Sequence, residues 1–314
     1  MWIGYRNDKN KVFLGKRTKQ HADKDENRPE YKVVDLGDNP ATFAHSRFSP
    51  SLHGFRSSSL LGSPDFLYIA WKPEEPDVIK YQRSDAKIRF DFPEALTVEA
   101  KDIVSAPVLA VTSSEIWLSW LAGPSKPDGT YDIWLAESTD GKSWDSFNYS
   151  RQNRHAHTSY PPAFSARGDV LTIHWIDGTK VHSAEINPDE TEFDTQARPI
   201  YPKVYDFTTI GDYGAETSHH TFPIGVAAAY GDDKRWLFVT TSDDKIWVLP
   251  PKHDAQVYAL TDTPADAKSK HRAGAAFVEL SPERRNIFVT WKDDRDKNYR
   301  EARIHSVGGN TNFL

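Results

Sequence analysis

The sequence predicts an all-β fold: a β-propeller of six blades, each of four antiparallel strands, its ring closed by the C-terminal strand. Three observations predict it. A short apolar strand ending in an aromatic residue recurs along the chain, a second alternating strand follows each copy, and a small-residue apolar strand precedes most of them. Repeats of about 50 residues carrying three or four strands match propeller blades. A β-sandwich has no reason to repeat one strand triplet.

The recurrent strand reads Phe66-Leu-Tyr-Ile-Ala-Trp71, Glu115-Ile-Trp-Leu-Ser-Trp120, Val170-Leu-Thr-Ile-His-Trp175 and Asn286-Ile-Phe-Val-Thr-Trp291. Trp236-Leu-Phe-Val-Thr-Thr241 ends in Thr, and Trp2-Ile-Gly-Tyr5 is the end of a further copy. Positions 5, 71, 120, 175, 241 and 291 are spaced by 66, 49, 55, 66 and 50 residues. The strands that follow are Lys11 to Lys16, Asp77 to Gln82, Tyr131 to Ala136, Lys180 to Glu185, Lys245 to Leu249 and Tyr299 to Ile304. Period-two alternation bounded by Gly, Pro, Asn and Asp is the strand signal, and no segment shows a helical stripe.

The small-residue strands, such as Ser105-Ala-Pro-Val-Leu-Ala and Pro223-Ile-Gly-Val-Ala-Ala, come first in each blade and lie innermost. The first copy begins at its second strand. Gly309-Asn-Thr-Asn-Phe-Leu314 is therefore expected to supply its innermost strand and leave no sheet edge exposed. One propeller domain over residues 1–314 follows.

The chain has 10 Trp, 13 Tyr and 16 Phe but no Cys, so disulfides, thiolate nucleophiles and Cys-ligated zinc are excluded. Net charge is −6 with both signs interspersed, which argues against a nucleic-acid partner. No apolar stretch is long enough to span a bilayer, and no signal peptide is visible at the N-terminus. A soluble protein, cytoplasmic or secreted, is expected, with oligomeric state undetermined.

In a propeller, the segment leading into each innermost strand and the turn after the second strand lie on one face, near the axis. The lead-in segments are Ser51 to Arg56, Lys101 to Ser105, His155 to Tyr160, Ser218 to Thr221 and Lys270 to Arg272. Four of these five contain His, and together they hold six of the 12 His in the chain. An axial pocket lined by His53, Arg56, His157, Tyr160, His219, His220, His271 and Arg272 is expected, walled by Trp71, Trp120, Trp175 and Trp291. Such a pocket suits a ligand with hydroxyls and an apolar face, as a sugar has. Folding alone also explains a Trp repeated at one blade position as packing between blades; it does not explain the choice of His.

Clustered His can ligate zinc, copper or nickel, but no His-x-Glu-x-x-His or similar local motif is present, so no metal and no cofactor are expected. The turns carrying Glu74, Glu75, Asp128, Asp177, Asp243, Asp244, Asp293 and Asp294 place carboxylates on the same face. They could serve as acid or base, although Asp is also what tight turns use. The long connection from Tyr205 to Ser218, with Asp212, Tyr213 and Glu216, is a candidate functional loop beside His219 and His220. Asn148-Tyr-Ser is a glycosylation sequon, meaningful only in a secreted protein.

At Glu137-Ser-Thr-Asp140-Gly-Lys-Ser-Trp144 the chain resembles the Asp-box turn of the sialidase-like propellers, one residue shorter than their Ser-x-Asp-x-Gly-x-x-Trp pattern. The likeness covers roughly residues 103 to 150. It implies a six-bladed propeller and a glycan ligand, with Asp140 structural on the outer rim. Sialidase activity is not implied, because Phe55-Arg-Ser-Ser58 lacks the Arg-Ile-Pro segment of that family.

Three functions follow. The first is a lectin-like propeller binding a carbohydrate or another polar small molecule. The alternative is an enzyme with one axial site, a glycoside hydrolase, lyase or small-molecule cyclase or isomerase, using His, Asp and Glu as acids and bases near neutral pH. The third is a protein-interaction platform.

Overall fold

The computed structural model describes residues 2–6, 12–17, 31–34, 46, 48, 50–55, 66–85, 96–153, 156–186, 203–206, 222–231, 234–249, 258–259, 261–262, 265–266, 273–281, 284–292, 299–307 and 310–313. The chain divides into two compact units, Met1–Asn148 and Tyr149–Leu314.

The first unit contains three antiparallel sheets, each built in chain order. They are β1 (Trp2–Arg6), β2 (Val12–Arg17) and β3 (Tyr31–Val34); then β4 (Ser51–Phe55), β5 (Phe66–Trp71), β6 (Val78–Asp85) and β7 (Leu96–Glu99); then β8 (Val108–Val111), β9 (Ile116–Ala122), β10 (Tyr131–Ser138) and β11 (Asp145–Asn148). The second unit opens with a short helix, α1 (Tyr149–Gln152), and the short strand β12 (His157–Thr158). Its sheets are β13 (Ala163–Arg167), β14 (Val170–Asp177), β15 (Lys180–Ile186) and β16 (Lys203–Asp206); β17 (Pro223–Gly231), β18 (Lys234–Thr241), β19 (Ile246–Leu249) and β20 (Tyr258–Ala259). A ribbon of β21 (Thr261–Asp262) and β22 (Ala265–Asp266) precedes β23 (Gly274–Ser281), β24 (Arg284–Lys292), β25 (Tyr299–Val307) and β26 (Asn310–Phe313). Among the described residues there are thus six sheets of three or more strands. Antiparallel up-and-down sheets of this kind are the blades of a β-propeller.

The β8–β11, β13–β16, β17–β20 and β23–β26 sheets begin with the small-residue strand and continue with the recurrent apolar strand, as the repeat predicts. The N-terminal sheet lacks a first strand among the described residues: Trp2 to Arg6 pair only with Val12 to Lys16. The expected closure by the C-terminal strand is overturned. β26 pairs antiparallel with β25, Ile304 opposite Phe313 and Val307 opposite Asn310. The two residues between that last pair are Gly308 and Gly309, a composition that two-residue hairpins favour. A local hairpin also closes with far less chain entropy than pairing across the whole sequence.

What stabilises the sheets is burial on both faces. In the β17–β20 sheet, Ala227, Ala229, Trp236, Phe238, Ile246 and Val248 point one way and join Ile287, Val289 and Trp291 of the β23–β26 sheet. The intervening Val226, Leu237, Val239, Trp247 and Leu249 point the other way and join Ala163, Ile176 and Val181 of the β13–β16 sheet. Period-two alternation therefore fills two apolar layers from one sheet, stacked as propeller blades are. In the first unit the β4–β7 and β8–β11 sheets share one layer, with Tyr68, Ile79, Tyr81, Leu109, Leu118 and Trp120 at its centre.

The turn between β10 and β11 is built by its own side chains. Asp140 Oδ1 accepts the N–H groups of Lys142 (2.7 Å) and Ser143 (2.8 Å), and the Gly141 N–H donates to Ser138 Oγ at 2.8 Å. Gly141 sits at φ +72°, where a Cβ would come within 3.2 Å of Ile116 Cδ1 and 3.3 Å of Tyr81, so glycine is required twice over. Trp144 then reaches the neighbouring sheet, edge-on to Tyr81 with centroids 5.4 Å apart. The backbone N–H bonds hold the Asp140 carboxyl below the usual carboxylate range.

Removing the side chain of a fully buried aromatic from a two-sided layer leaves a cavity. Phe238→Ala is expected to destabilise the fold by about 3–5 kcal/mol. Val170→Ala, at a side chain 43% exposed, is expected to change stability by about 0.5 kcal/mol or less. Denaturant unfolding of the two variants beside the wild type measures both; equal losses would disprove the two-layer packing.

Candidate functional site

At the end of each sheet where the first strand begins, backbone groups fall outside the strand ladder and need other partners. In several sheets a hydroxyl or a local backbone bond provides them. Ahead of β4, the buried Ser46 hydroxyl bonds the carbonyl oxygens of Lys72 (2.6 Å) and Phe48 (2.7 Å) and accepts the Phe48 N–H at 3.2 Å. Ahead of β8, the Val104 N–H donates to Leu121 O and the Leu121 N–H to Ser105 Oγ, both at 2.9 Å. Ahead of β17, Phe222 and Ser242 exchange two bonds, Phe222 N–H to Ser242 Oγ at 3.0 Å and Ser242 N–H to Phe222 O at 2.8 Å. Ahead of β13, Thr158 Oγ1 accepts the Tyr160 N–H (3.1 Å) and donates to its carbonyl (3.2 Å).

Lys72, Leu121 and Ser242 lie at or just beyond the end of the second strand of their sheets. These bonds therefore join, sheet by sheet, the two segments expected to share one face. Each clamp carries an apolar side chain: Phe48, Val104, Tyr160 or Phe222. Val104 is 38% exposed and Phe222 47% exposed. The sequence holds a signal for these positions that the repeat analysis passed over. Each is followed within three residues by Pro: Phe48-Ser-Pro50, Val104-Ser-Ala-Pro107, Tyr160-Pro161 and Phe222-Pro223. Proline holds the residue before it extended.

The predicted site residues separate into three groups. Trp71, Trp120, Trp175 and Trp291 are each at most 2% exposed and are core residues. Trp120 stacks on Trp134 with centroids 6.4 Å apart, and Trp175 stacks on His182 at 5.2 Å with Tyr149 edge-on at 6.1 Å. Burial corrects their expected role as pocket walls: Trp120 and Trp291 lie in the apolar layers between sheets, and Trp175 is covered by His182 and Tyr149. Arg56, His219, His220, His271 and Arg272 lie outside the described residues, as do Asp212, Tyr213, Glu216, Asp293 and Asp294.

His53, His157 and Tyr160 form the third group. His53 lies within β4 rather than ahead of it, opposite Tyr68. Desolvation by burial pushes its pKa down to about 4, so it is a neutral hydrogen-bonding group at pH 7. Tyr68 continues the cross-strand row to Arg83; burial raises the Tyr68 pKa, and the guanidinium opposes that rise. His157 is half-buried in β12, which lies against β14. β14 runs past the first residue of β13, because Ala163 pairs with His174 while the strand continues to Asp177. Tyr160 packs against the layer that holds Ile176 and Val181, beside the Asp177 hairpin, where Asp177 Oδ2 lies 3.9 Å from His182 Nε2.

Among the acidic turns, Asp128 accepts the Thr130 hydroxyl (2.7 Å) and N–H (3.0 Å), bonds that lower its pKa. Asp77 and Asp244 hold left-handed turn positions at φ 56° and 67°, a conformation a short polar side chain tolerates. Asn148 of the sequon donates its amide to Asp132 Oδ2 at 2.9 Å. Among the described residues no three His, Asp or Glu side chains converge as a metal centre needs. No helix among them is long and apolar enough to cross a membrane.

A further histidine was not singled out from the sequence. His174, in β14, has Nε2 2.9 Å from Ser165 Oγ and Nδ1 2.8 Å from Ser183 Oγ. A Ser–His contact of this length is what a nucleophile and its base make, but here all three side chains are buried, and among the described residues both ring nitrogens are engaged by serines rather than by a carboxylate. The triad joins three adjacent strands and satisfies an imidazole that would otherwise be an orphan in the core. Desolvation, with the charge of Arg235, holds the His174 pKa well below 6.5.

No protein-family model matches the sequence, and no curated protein matches it at a significant level. Solved structures do match in fold. The α-L-arabinanase of Penicillium chrysogenum, complexed with arabinobiose, superposes with a TM-score of 0.52 at 10% identity, over 97% of this chain and 92% of its own. SapL1 lectin in complex with α-methyl fucoside gives 0.52 at 11% identity, over 99% and 90%. AofleA from Arthrobotrys oligospora gives 0.55 at 7% identity, over 100% and 82%. At such identities the likeness shows the fold, a β-propeller.

The state of His174 makes stability depend on pH. Unfolded, it takes a proton near pH 6.5; folded, only well below that. The unfolded chain therefore binds more protons in this window, and stability falls as pH drops through it. His174→Gln is expected to cost stability at pH 7 yet lose less than the wild type on acidification to about pH 5. Denaturant midpoints at the two pH values measure the difference; parallel losses would exclude His174 as the titrating group.

Proposed function

We propose that the chain is one six-bladed propeller domain spanning residues 1–314 that binds a carbohydrate, in the manner of a lectin, at the sheet ends where the clamped lead-in segments sit. The observation that carries this reading is the clamping itself. It fixes the backbone of the lead-in segments at the sheet ends, where the Tyr160 phenol stands ahead of β13 and the Asp177 carboxylate in the hairpin that ends β14, and where the repeat puts His157. A saccharide needs that mixture, since each hydroxyl must exchange water for a directed donor or acceptor while the ring's C–H face covers apolar surface. His219, His220, His271 and Arg272 extend the set by their positions in the repeat.

The structural neighbours support the ligand class, because one is described with arabinobiose bound and another with α-methyl fucoside. The six repeats support the blade number, and the Ser138–Trp144 turn supports kinship with the Asp-box propellers. The arabinanase also favours a second reading, hydrolysis at one site. Under that reading the acidic turns and neutral imidazoles supply acid and base.

Calorimetry with arabinobiose and α-methyl fucoside, together with a glycan array, tests the reading. Binding is expected, and His157→Ala and the double substitution of His219 and His220 by Ala should each weaken it about tenfold or more, about 1.4 kcal/mol. Saccharide binding that ignores all three substitutions would remove these residues from the site. Release of free sugar from arabinobiose would replace the lectin by the hydrolase.

A further inference from the structure

Phe222 is the most exposed large aromatic side chain among the described residues, at 47%. An exposed phenyl group on a mobile loop would mean little, but the backbone here is fixed. Both main-chain groups of Phe222 are spent on Ser242, at 3.0 and 2.8 Å, and Pro223 follows and confines its backbone to extended angles. The turn that receives it is fixed in its own right. Thr241 N–H donates to Lys245 O and Asp244 N–H to Thr241 O, both at 2.9 Å. The Thr241 hydroxyl donates to Asp243 Oδ1 at 2.6 Å and accepts the Trp247 indole N–H at 3.2 Å.

The charges in this turn are unequally engaged. Asp243 is held by Thr241 and, at 3.6 Å, by Lys245. The Asp244 carboxylate, carried at φ 67°, has no hydrogen-bond or ion-pair partner among the described residues. We propose that Phe222 and the Thr241–Lys245 turn form a stacking subsite for one ring of a neutral saccharide. The C–H face of that ring covers the phenyl group, and one of its hydroxyls donates to Asp244.

This rests on the saccharide reading above and names a subsite for it. The neighbouring groups decide against other occupants. An apolar protein face or a lipid surface over Phe222 would strip water from Asp244 without replacing its hydrogen bonds, a costly burial for a carboxylate. An anionic ligand would meet Asp243 and Asp244 in the same turn. A polyhydroxylated ring covers the apolar surface and supplies the donor together. Ring stacking on an aromatic shelf needs the shelf held still, because ordering a free side chain on binding would consume the gain.

The test is calorimetric titration of the full chain with arabinobiose and with α-methyl fucoside, for wild type, Phe222→Ala, Phe222→Trp and Asp244→Asn. For the saccharide that binds, Phe222→Ala should weaken affinity about two- to tenfold, the range expected for one aromatic stacking contact. Phe222→Trp, with a larger face, should restore or exceed wild-type affinity, which a loss through misfolding would not allow. Asp244→Asn, which keeps an acceptor but not its charge, should also weaken affinity; wild-type affinity in Asp244→Asn would remove Asp244 from the subsite. Wild-type affinity in Phe222→Ala would overturn the subsite while leaving the saccharide reading intact. A wild type that binds neither sugar, nor any neutral glycan on an array, would overturn both.

Discussion

Among the described residues, the core depends on sheets covering one another's faces. A single four-stranded antiparallel sheet cannot exclude water from two sides by itself; a stack of them can. The β17–β20 sheet shows the consequence, since alternate residues of one strand enter different apolar layers: Phe238 with Trp291 and Val289 on one side, Leu237 and Val239 with Val181 and Ile176 on the other. Small residues such as Ala227 and Ala229 are admitted to the first strand, and indoles fill the second. Within one sheet the first strand must be small as well: a Cβ at Gly274 would come within 3.0 Å of Oγ1 of Thr290, its partner on the adjacent strand.

The same constraint fixes where function has room. The buried strand side chains are committed to the layers, so the clamped strand ends are where fixed groups can meet a ligand. There the ladder stops and the backbone would be left with orphan donors and acceptors. Ser46, Ser105, Thr158 and Ser242 answer that need with hydroxyls. Satisfying the backbone and rigidifying the presented side chain are thus one act. His174 shows the opposite case: an imidazole kept inside the layer has to be enclosed by two serine hydroxyls and stay neutral.

The strands were legible in the sequence because period-two alternation is a local property. Val170–Trp175, Tyr131–Ala136 and Lys180–Glu185 each fall within a strand of the structure. The four tryptophans were misread for a definite reason. Alternation says that Trp120 and Trp175 share a face with their i±2 neighbours, but not whether another sheet covers that face. The C-terminal strand was misplaced because ring closure was argued from a missing partner, while Gly308-Gly309 already specified a hairpin. His53 was read as a connection although Ser51–Phe55 is long enough to be a strand. Phe222 went unnoticed because the search followed histidines; an apolar residue shortly ahead of Pro before four of the first strands was the signal to follow.

The clamps also bear on what kind of binding the repeats can support. One structural need is met from different places. Ser46 and Thr158 lie two residues before the side chain they fix, Ser105 lies one residue after Val104, and Ser242 reaches Phe222 from the turn. The side chains presented differ as well: a phenyl, an isopropyl, a phenol and a second phenyl group. Drift of this kind leaves the fold intact, because any hydroxyl within reach satisfies the backbone. It does not leave the sheet ends equivalent. A lectin with one site per blade relies on the same contacts repeated around the ring, whereas a single asymmetric ligand draws a different contact from each sheet. Under the saccharide reading, non-equivalent ends therefore favour few binding sites per chain over one per blade, and stoichiometry separates the readings more sharply than affinity does.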